Sequence, residues 1–305
     1  MTTRTVVPTD TYLTAPPAPP AYRRSRRVAA LAGLVVLLLV LQNLARNPAL
    51  QWDVVAQYLT ADVILDGLRI TLLLTAIALV GGFALGTLLA VMRLSGSLLL
   101  QSVSWGYTWL FRSVPILVQL LFWYNISLLY PRITVEVPFG PTLLDVQTRG
   151  LINGFLAAVI GLTLHEAAHA SEIVRAGLLS VDKSQTEAAQ ALGLSRTRTL
   201  WRIVLPPAMR AIVPPSANQA AALLKGTSVV SVIAGQDLLF SVQLIYNRNY
   251  LVIPLLLVAT LWYLLFTTIL SGLQYLLERY FGRGSGRNGL PLRARLRALA
   301  EGAER

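Results

Sequence analysis

Residues 67–92 read GLRITLLLTAIALVGGFALGTLLAVM, a long run of almost entirely apolar residues. Arg69 is the one charged residue within it. An α-helix rises about 1.5 Å per residue, so roughly 20 apolar residues cross the hydrocarbon core of a bilayer. The stretch therefore predicts a membrane-spanning helix.

The composition of the whole chain agrees with a membrane protein. Of 305 residues, 55% are hydrophobic and 13% are charged, whereas soluble domains average about 25% charged residues. The chain contains no cysteine, which excludes disulfides, cysteine-ligated zinc, iron–sulfur clusters and thiol catalysis. The formal net charge of +12 lies beside and between long apolar runs, so it is interpreted as a topology signal.

Six stretches have the length and hydropathy of a membrane span. They are Val28–Ala45, Gly67–Met92, Trp105–Tyr130, Leu151–Leu178, Ile212–Phe240 and Leu251–Leu277. Prolines and polar residues interrupt the fifth stretch. Because irregular backbone at membrane depth needs partners from protein or water, an interior position is predicted for that helix. The predicted fold is an all-α membrane protein with six transmembrane helices.

The lysine and arginine residues predict the orientation of these spans. With the N-terminus inside, eighteen of them fall on the cytoplasmic side and four on the opposite side. Both termini and the 179–211 loop are therefore expected in the cytoplasm. The predicted organisation is a cytoplasmic Pro/Arg-rich tail, a transmembrane anchor, an external loop, a transmembrane core and a cytoplasmic Arg-rich tail, at 1–27, 28–45, 46–66, 67–278 and 279–305.

The loop at 184–215, SQTEAAQALGLSRTRTLWRIVLPPAMRAIVPP, is polar but patterned. Ser184 and the glutamate three residues later form a capping box, so a helix is predicted to begin at Ser184. Gly193 suits the left-handed position that ends a helix. Ser195 is predicted to cap a second helix, which the proline pair at 206–207 stops or kinks.

Three interpretations of this predicted helix pair compete. It is a solvated loop between spans, a DNA-binding helix-turn-helix, or a docking element for a cytoplasmic partner. The glycine turn and the arginines fit the second interpretation, but membrane spans lie on both sides and no nucleic acid is expected as a partner.

The segment Glu187-Ala188-Ala189, three residues, Gly193, nine residues and Ile203-Val204-Leu205-Pro206 resembles the EAA signature of permease subunits of bacterial ABC importers. WLFRSVPILVQLLF at 109–122 and SEIVRAGLLSVDKSQTEAAQALGLS at 171–195 look like the polar amino acid branch of that family. The resemblance covers about 67–278. The sequence departs from the branch pattern at Ser184, where glycine is common, and at Gly226, where an acidic residue often follows the lysine.

The resemblance implies a five-helix permease core plus one extra N-terminal helix, in the bacterial plasma (inner) membrane. It implies import of a polar amino acid by alternating access. The partners it implies are a cytoplasmic ABC ATPase, an external solute-binding protein and a second permease copy or paralogue, within membrane lipid. ATP and Mg would be bound by the ATPase, because this chain has no phosphate-loop motif, and the chain itself is not expected to be an enzyme or to bind a cofactor. The ATPase-coupling residues implied are Ser184, Glu187, Ala188, Ala189, Gly193, Ile203, Leu205 and Pro206.

A second motif lies on the predicted fourth span and favours a different function. His165-Glu166-Ala167-Ala168-His169 fits H-E-x-x-H, which places two histidines on one helix face for zinc, with glutamate as base. An intramembrane zinc protease is therefore the main alternative, with a membrane-anchored DNA-binding regulator as a further one. Because the five-residue match is far shorter than the EAA resemblance, no metal is expected.

Polar residues at membrane depth are the remaining candidates for function. Ionisable groups there are costly and tend to face a bundle interior or a watery path. Interhelical hydrogen bonding and contact with substrate both remain open for them. Glu172 and Arg175 are expected to form an i,i+3 pair, and Arg112 to meet a carbonyl freed by a helix break at Pro115. The candidate translocation-path residues are His165, Glu166, His169, Glu172, Asn218, Gln219 and Lys225.

Overall fold

The computed structural model describes residues 20–136, 142–148 and 150–281, so the predictions for 1–19 and 282–305 lie outside them. The chain divides into two compact units, Met1–Gln51 and Trp52–Arg305. In the first unit, helix α1 spans Pro20–Arg46 and a 3₁₀ turn follows at Pro48–Leu50. Every side chain of α1 described from Val28 onward is exposed, which fits a helix surrounded by lipid.

The described residues of the second unit are mainly helical. The α-helices are α2 (Trp52–Leu59), α3 (Asp62–Leu94), α4 (Leu98–Ser113), α5 (Ile116–Tyr124), α6 (Ile126–Leu129), α7 (Gly154–Leu179), α8 (Lys183–Ala191), α9 (Arg196–Thr199), α10 (Leu205–Gly226), α11 (Leu238–Asn249) and α12 (Val252–Phe281). The strands β1 (Arg132–Glu136) and β2 (Thr142–Gln147) form an antiparallel pair, which the sequence did not predict. The all-α prediction for the membrane region is confirmed, and the segment predicted as an external loop contains α2.

Three helical segments are long and apolar enough to cross a membrane alone: Val28–Arg46, Asp62–Leu94 and Val252–Phe281. They coincide with three predicted spans. The pair Arg196–Ile233 and Leu238–Asn249, bent by 46°, passes the same test together. Six spans remain a prediction, since the described residues give three or four by this measure. At 33 residues, α3 is about 50 Å long, which exceeds the roughly 30 Å hydrocarbon core.

Two glycines of α3, Gly82 and Gly86, allow α3 to pack closely against α7. A Cβ at Gly82 would lie 2.6 Å from the Glu166 Cγ, and one at Gly86 would lie 2.7 Å from the Ala170 Cβ. The two helices therefore approach closely only because these positions lack side chains. This contact places the polar face of α7 inside the unit.

The predicted fifth span is wrong in its boundaries. Helix α10 begins at Leu205, within the predicted cytoplasmic loop, and passes through both proline pairs before it ends at Gly226. A 3₁₀ helix occupies Thr227–Ile233, and α11 follows from Leu238. A π-helical turn at Leu200–Val204 joins α9 to α10. Since a proline in the first turn of a helix donates no hydrogen bond that the helix requires, the first proline pair starts α10 instead of ending a helix.

Candidate functional site

Helix α7 carries the main polar stripe of the second unit. Its first turn is capped by Asn153, whose side chain accepts a 2.9 Å hydrogen bond from the Leu156 N–H. Further along α7, the rings of His165 and His169 lie 4.9 Å apart. Glu172 accepts hydrogen bonds from Arg175 at 2.7 and 3.0 Å, which confirms the predicted i,i+3 pair.

Two members of the stripe, His169 and Glu172, face an open groove of about 490 Å³. The lining residues are Arg93, Trp105, Thr108, Trp109, Arg112, Ser113, His169 and Glu172. The rings of Trp105 and Trp109 stack at 6.2 Å and are more than half exposed. The groove thus combines guanidinium groups, a carboxylate and an aromatic surface.

The break between α4 and α5 is where it was predicted, but Arg112 does not serve it. The Gln119 side chain donates to the Phe111 and Val114 carbonyls at 2.9 and 2.7 Å. The Gln119 amide on α5 therefore takes the hydrogen-bonding role that was expected for Arg112. Arg112 instead lines the groove.

Glu166 and Gln219 lie away from the groove. The Glu166 side chain is 0% exposed and its Oε2 accepts a 3.0 Å hydrogen bond from Gln219 on α10. His165 lies beside Gln119, with 3.2 Å between the Gln119 Nε2 and the His165 Nδ1. These two α7 residues therefore face other helices, while His169 and Glu172 face open space.

Asn218 and Lys225 occupy another surface. Both are exposed, and they lie on one stripe of α10 with Ala211, Pro215 and Ala222, at helical spacings of three and four residues. An asparagine and a lysine facing hydrocarbon would be costly. The stripe therefore requires water or protein beside it.

The predicted helix pair is present as α8 and α9, in the segment of chain that connects α7 to α10. Its predicted start needs one correction. Helix α8 begins at Lys183, and Asp182 caps it by accepting a 2.9 Å bond from the Ser184 N–H. Ser184 is therefore inside the helix and is not its cap, because aspartate two residues earlier is an equally good capping residue. The pKa of Asp182 is lowered by hydrogen bonds from the Ser184 backbone and side chain.

The turn and the second helix agree with the sequence. Gly193 has φ +76°, and the Gly193 and Leu194 N–H groups return to Gln190 and Ala189, the pattern of a Schellman motif. Ser195 caps α9. Of the two predicted effects of the proline pair at 206–207, a stop is wrong, because the helix continues into α10 through the π-helical turn.

The helix pair presents a largely exposed surface. Leu192 is 82% and Trp201 64% exposed, and Glu187 and Ala188 are also exposed. The other predicted coupling residues divide by burial: Ala189 is buried, Ile203 and Leu205 are half-buried, and Ser184, Gly193 and Pro206 are exposed. Large apolar side chains on a polar surface mark a contact site.

One buried acidic residue was missed by the sequence analysis. Asp237 is 0% exposed and caps α11, accepting from the Leu239 and Phe240 N–H groups at 3.1 and 3.3 Å. The Leu238 N–H donates to Thr71 on α3 at 2.9 Å. An aspartate just before an apolar run is a capping signal that would have identified it.

The described residues do not support the metal alternative. Among residues 20–136, 142–148 and 150–281, no group of three or more His, Cys, Asp or Glu side chains is placed to hold a metal. The Glu expected to act as base is bonded to Gln219.

A family model described as "Binding-protein-dependent transport system inner membrane component" matches residues 82–283. This range includes the groove, the helix pair and the α10 stripe. The chain belongs to this family. It is accordingly a multi-pass inner membrane protein of a transport system, and its curated relatives are transport permeases, not enzymes.

Two relatives and one solved structure show how far the similarity extends. The chain is 42% identical over 84% of its length to the arginine transport system permease protein ArgU of Corynebacterium glutamicum, covering 80% of that protein. It is 34% identical over 70% of its length to the probable glutamine ABC transporter permease protein GlnM of Bacillus subtilis, covering 92% of it. A crystal structure of an amino acid ABC transporter with histidines is similar over 72% of the present chain and 94% of its own chain, with a TM-score of 0.60 and 30% sequence identity.

Proposed function

We propose that the chain is the transmembrane permease subunit of an ABC importer for a polar amino acid. The observation that carries this is the family-matched helix pair with its exposed surface, on a chain similar to amino acid permeases. The relatives named above are described as an arginine permease and a probable glutamine permease, so they support amino acids as a class without selecting one.

The helix pair is the proposed docking site of a separate cytoplasmic ATPase, which binds and hydrolyses ATP with Mg. Leu192 and Trp201 supply apolar anchors, and Glu187 supplies a charge beside them. Because α10 continues from this pair through a π-helical turn, displacement of the docked helices would move α10 within the membrane. That movement would alternate access to the path.

The α10 stripe is the proposed face toward the path and a second permease copy or paralogue. Its support is the exposure of Asn218 and Lys225 in a helix that crosses the membrane region. With the helix pair in the cytoplasm, the β1–β2 pair lies on the external side, where an external solute-binding protein would deliver the amino acid.

The groove is the proposed station for substrate within one permease. Arg112 and Arg93 provide guanidinium donors suited to a carboxylate, and the Glu172 carboxylate provides an acceptor suited to an ammonium group. His169 and the two tryptophans supply adaptable contact area. This pattern would recognise the part common to all amino acids.

The test is gentle detergent purification of the tagged chain, followed by mass spectrometry of the proteins that accompany it. A copurifying ATPase that is lost in Glu187→Lys supports the proposal. Glu278→Lys is the matched control, because it reverses an exposed charge on α12, outside the helix pair, and it should retain the ATPase. A chain that comes alone, also after crosslinking in membranes, contradicts the proposal. If it also contained zinc that is lost in His169→Ala, the protease alternative would replace it.

A further inference from the structure

A line of polar contacts crosses the second unit from the α4–α5 break to α10. Gln119 on α5 is 6% exposed and bonds the two carbonyls at the end of α4. It also lies 3.2 Å from His165 on α7. Glu166, the next residue on α7, accepts from Gln219 on α10. These four residues, Gln119, His165, Glu166 and Gln219, are called the polar belt.

The end of the belt at α4 and α5 follows from the proline. In a continuous helix the Phe111 carbonyl would accept from residue 115, but Pro115 has no N–H. The side-chain amide of Gln119 replaces that donor and also reaches Val114. The angle between α4 and α5 is therefore tied to the position of Gln119, and through it to α7.

The end of the belt at α10 depends on the close contact of α3 with α7. A Cβ at Gly82 would collide with the Glu166 side chain. The missing side chain thus leaves room for a carboxylate inside the packed helices. Burying a carboxylate with one hydrogen-bond donor is costly, so the Gln219 contact fixes α10 against α7 at that level.

The belt is incompletely satisfied. Within the part of the chain that the structure describes, the Gln119 Oε1 and the Glu166 Oε1 are buried and have no hydrogen-bond partner. The desolvation of these two unpaired acceptors raises the free energy of this arrangement, so a second arrangement of the helices that supplies donors to them lies closer to it in free energy. Such a network fits an element with two arrangements.

We propose that the polar belt couples the movement of α10 to α7 and to the α4–α5 break, and that its members position helices without binding substrate. This rests on the proposed function, since it takes the docked ATPase as the source of the movement. Glu166 and Gln219 thereby leave the set of substrate contacts, because Glu166 is 0% exposed and does not line the groove.

The test measures helix movement, and the absence of native cysteine makes it direct. Cysteines replace Leu179 and Ala211, two exposed residues near the point where a Cβ at Gly177 would touch Ile212. Because Ala211 lies on the α10 stripe, chains that carry only one of the two cysteines identify any crosslink between two permease copies. Bismaleimides of two lengths then report the separation of α7 and α10 in the full complex with its ATPase, with and without ATP and vanadate.

In the double-cysteine chain the crosslinking yield should change with nucleotide. Gln219→Leu should reduce that change by at least about half, because a hydrogen bond to a carboxylate that is made in only one of two arrangements shifts their equilibrium by roughly tenfold when it is lost. Because this variant leaves the buried Glu166 carboxylate without its donor, the yield of purified complex should fall, and the crosslinking response is therefore compared at equal amounts of assembled complex. Gln274→Leu on α12 is the matched control and should preserve the response, because Gln274 bonds Glu278 on the surface.

The exchanged pair Glu166→Gln with Gln219→Glu distinguishes positioning from substrate binding. It restores a hydrogen bond of the same kind with the carboxylate moved to α10, so a positioning role predicts recovery of the nucleotide response. Failure to recover, or a response kept in Gln219→Leu, overturns the inference. If the parent chain itself showed no response to nucleotide, the proposed function would fall and the inference with it.

Discussion

The α3–α7 contact and the α8–α9 turn both depend on glycine, but they use different properties of the residue. At Gly82 and Gly86 the missing side chain allows two helices to approach within the membrane region. At Gly193 nothing lies within 4 Å of the position a Cβ would take, and the φ of +76° is what requires glycine. The first region therefore depends on space and the second on backbone freedom.

Because of this difference, we expect the α3–α7 contact to contribute to folding and the α8–α9 turn to contribute to binding of the ATPase. The α3–α7 contact is buried and positions Glu166 and the groove residues of α7. The α8–α9 turn is exposed and shapes only the surface proposed to bind the ATPase. Substitutions in the first region should reduce the amount of folded protein, whereas those in the second should leave folded protein that lacks its partner.

Gly86→Leu should have the largest effect. Its Cβ alone would lie 2.7 Å from Ala170 and 2.8 Å from the Ala167 carbonyl, so the helices must separate. We expect a destabilisation of about 3 kcal/mol or more, measured as loss of monodisperse protein and a lower unfolding temperature. Gly106→Leu on α4 is the control, because a Cβ there meets nothing within 4 Å. Equal loss in both variants would contradict the packing argument.

Gly193→Pro should come next, with its effect on assembly. Proline fixes φ near −65° and removes the N–H that donates to Gln190, so the turn between α8 and α9 cannot form. We expect normal membrane insertion and at least a tenfold loss of copurified ATPase, roughly the effect of 1.4 kcal/mol or more. Quantitative mass spectrometry measures the ratio.

Asparagine supplies the matched comparison at this turn. It tolerates left-handed φ better than other residues, so Gly193→Asn should keep most of the ATPase. If Gly193→Pro retained the partner as well, the turn would have no part in docking.

The sequence predicted the features that local chemistry determines. The apolar run at 67–92, the break before Pro115, the left-handed Gly193 and the Glu172–Arg175 pair are all confirmed, because each depends on neighbouring residues in the chain. The start of α8 was wrong by one residue because two good capping residues, Asp182 and Ser184, compete within two positions.

Other features depend on contacts between distant parts of the chain. The roles of Gln119 and Glu166 follow from how α5, α7 and α10 pack, and no local pattern distinguishes a buried Glu166 from a groove-lining Glu172. The same holds for Gly82, whose neighbour Glu166 is far away in sequence.

The left-handed conformation also occurs at a residue that is not glycine. Ala234 ends the 3₁₀ helix with φ 53°, a conformation that costs alanine about 1 kcal/mol. Ala234→Gly should therefore raise stability by up to about 1 kcal/mol, less the entropy that glycine loses. Thermal unfolding of the complex measures this.

The neighbouring glycine gives the opposite expectation. A Cβ at Gly235 would collide with the Val230 side chain, so Gly235→Ala should destabilise. Stabilisation by both substitutions would show that neither φ nor space limits this segment.

The smallest effect is expected at the cap of α8, where neither space nor φ is limiting. Hydrogen bonds from Ser184 lower the pKa of Asp182, so its charged form is favoured in the folded protein. The contribution of the cap is therefore complete above the ordinary carboxyl pKa and is lost as the pH falls through the lowered value. Hydrogen exchange at residues 184–186 should accelerate relative to the rest of α8 over that range, beyond the intrinsic pH dependence of exchange. Asp182→Asn keeps a capping oxygen that does not titrate, so its exchange should lack this extra step; the same step in Asp182→Asn would assign it to another group.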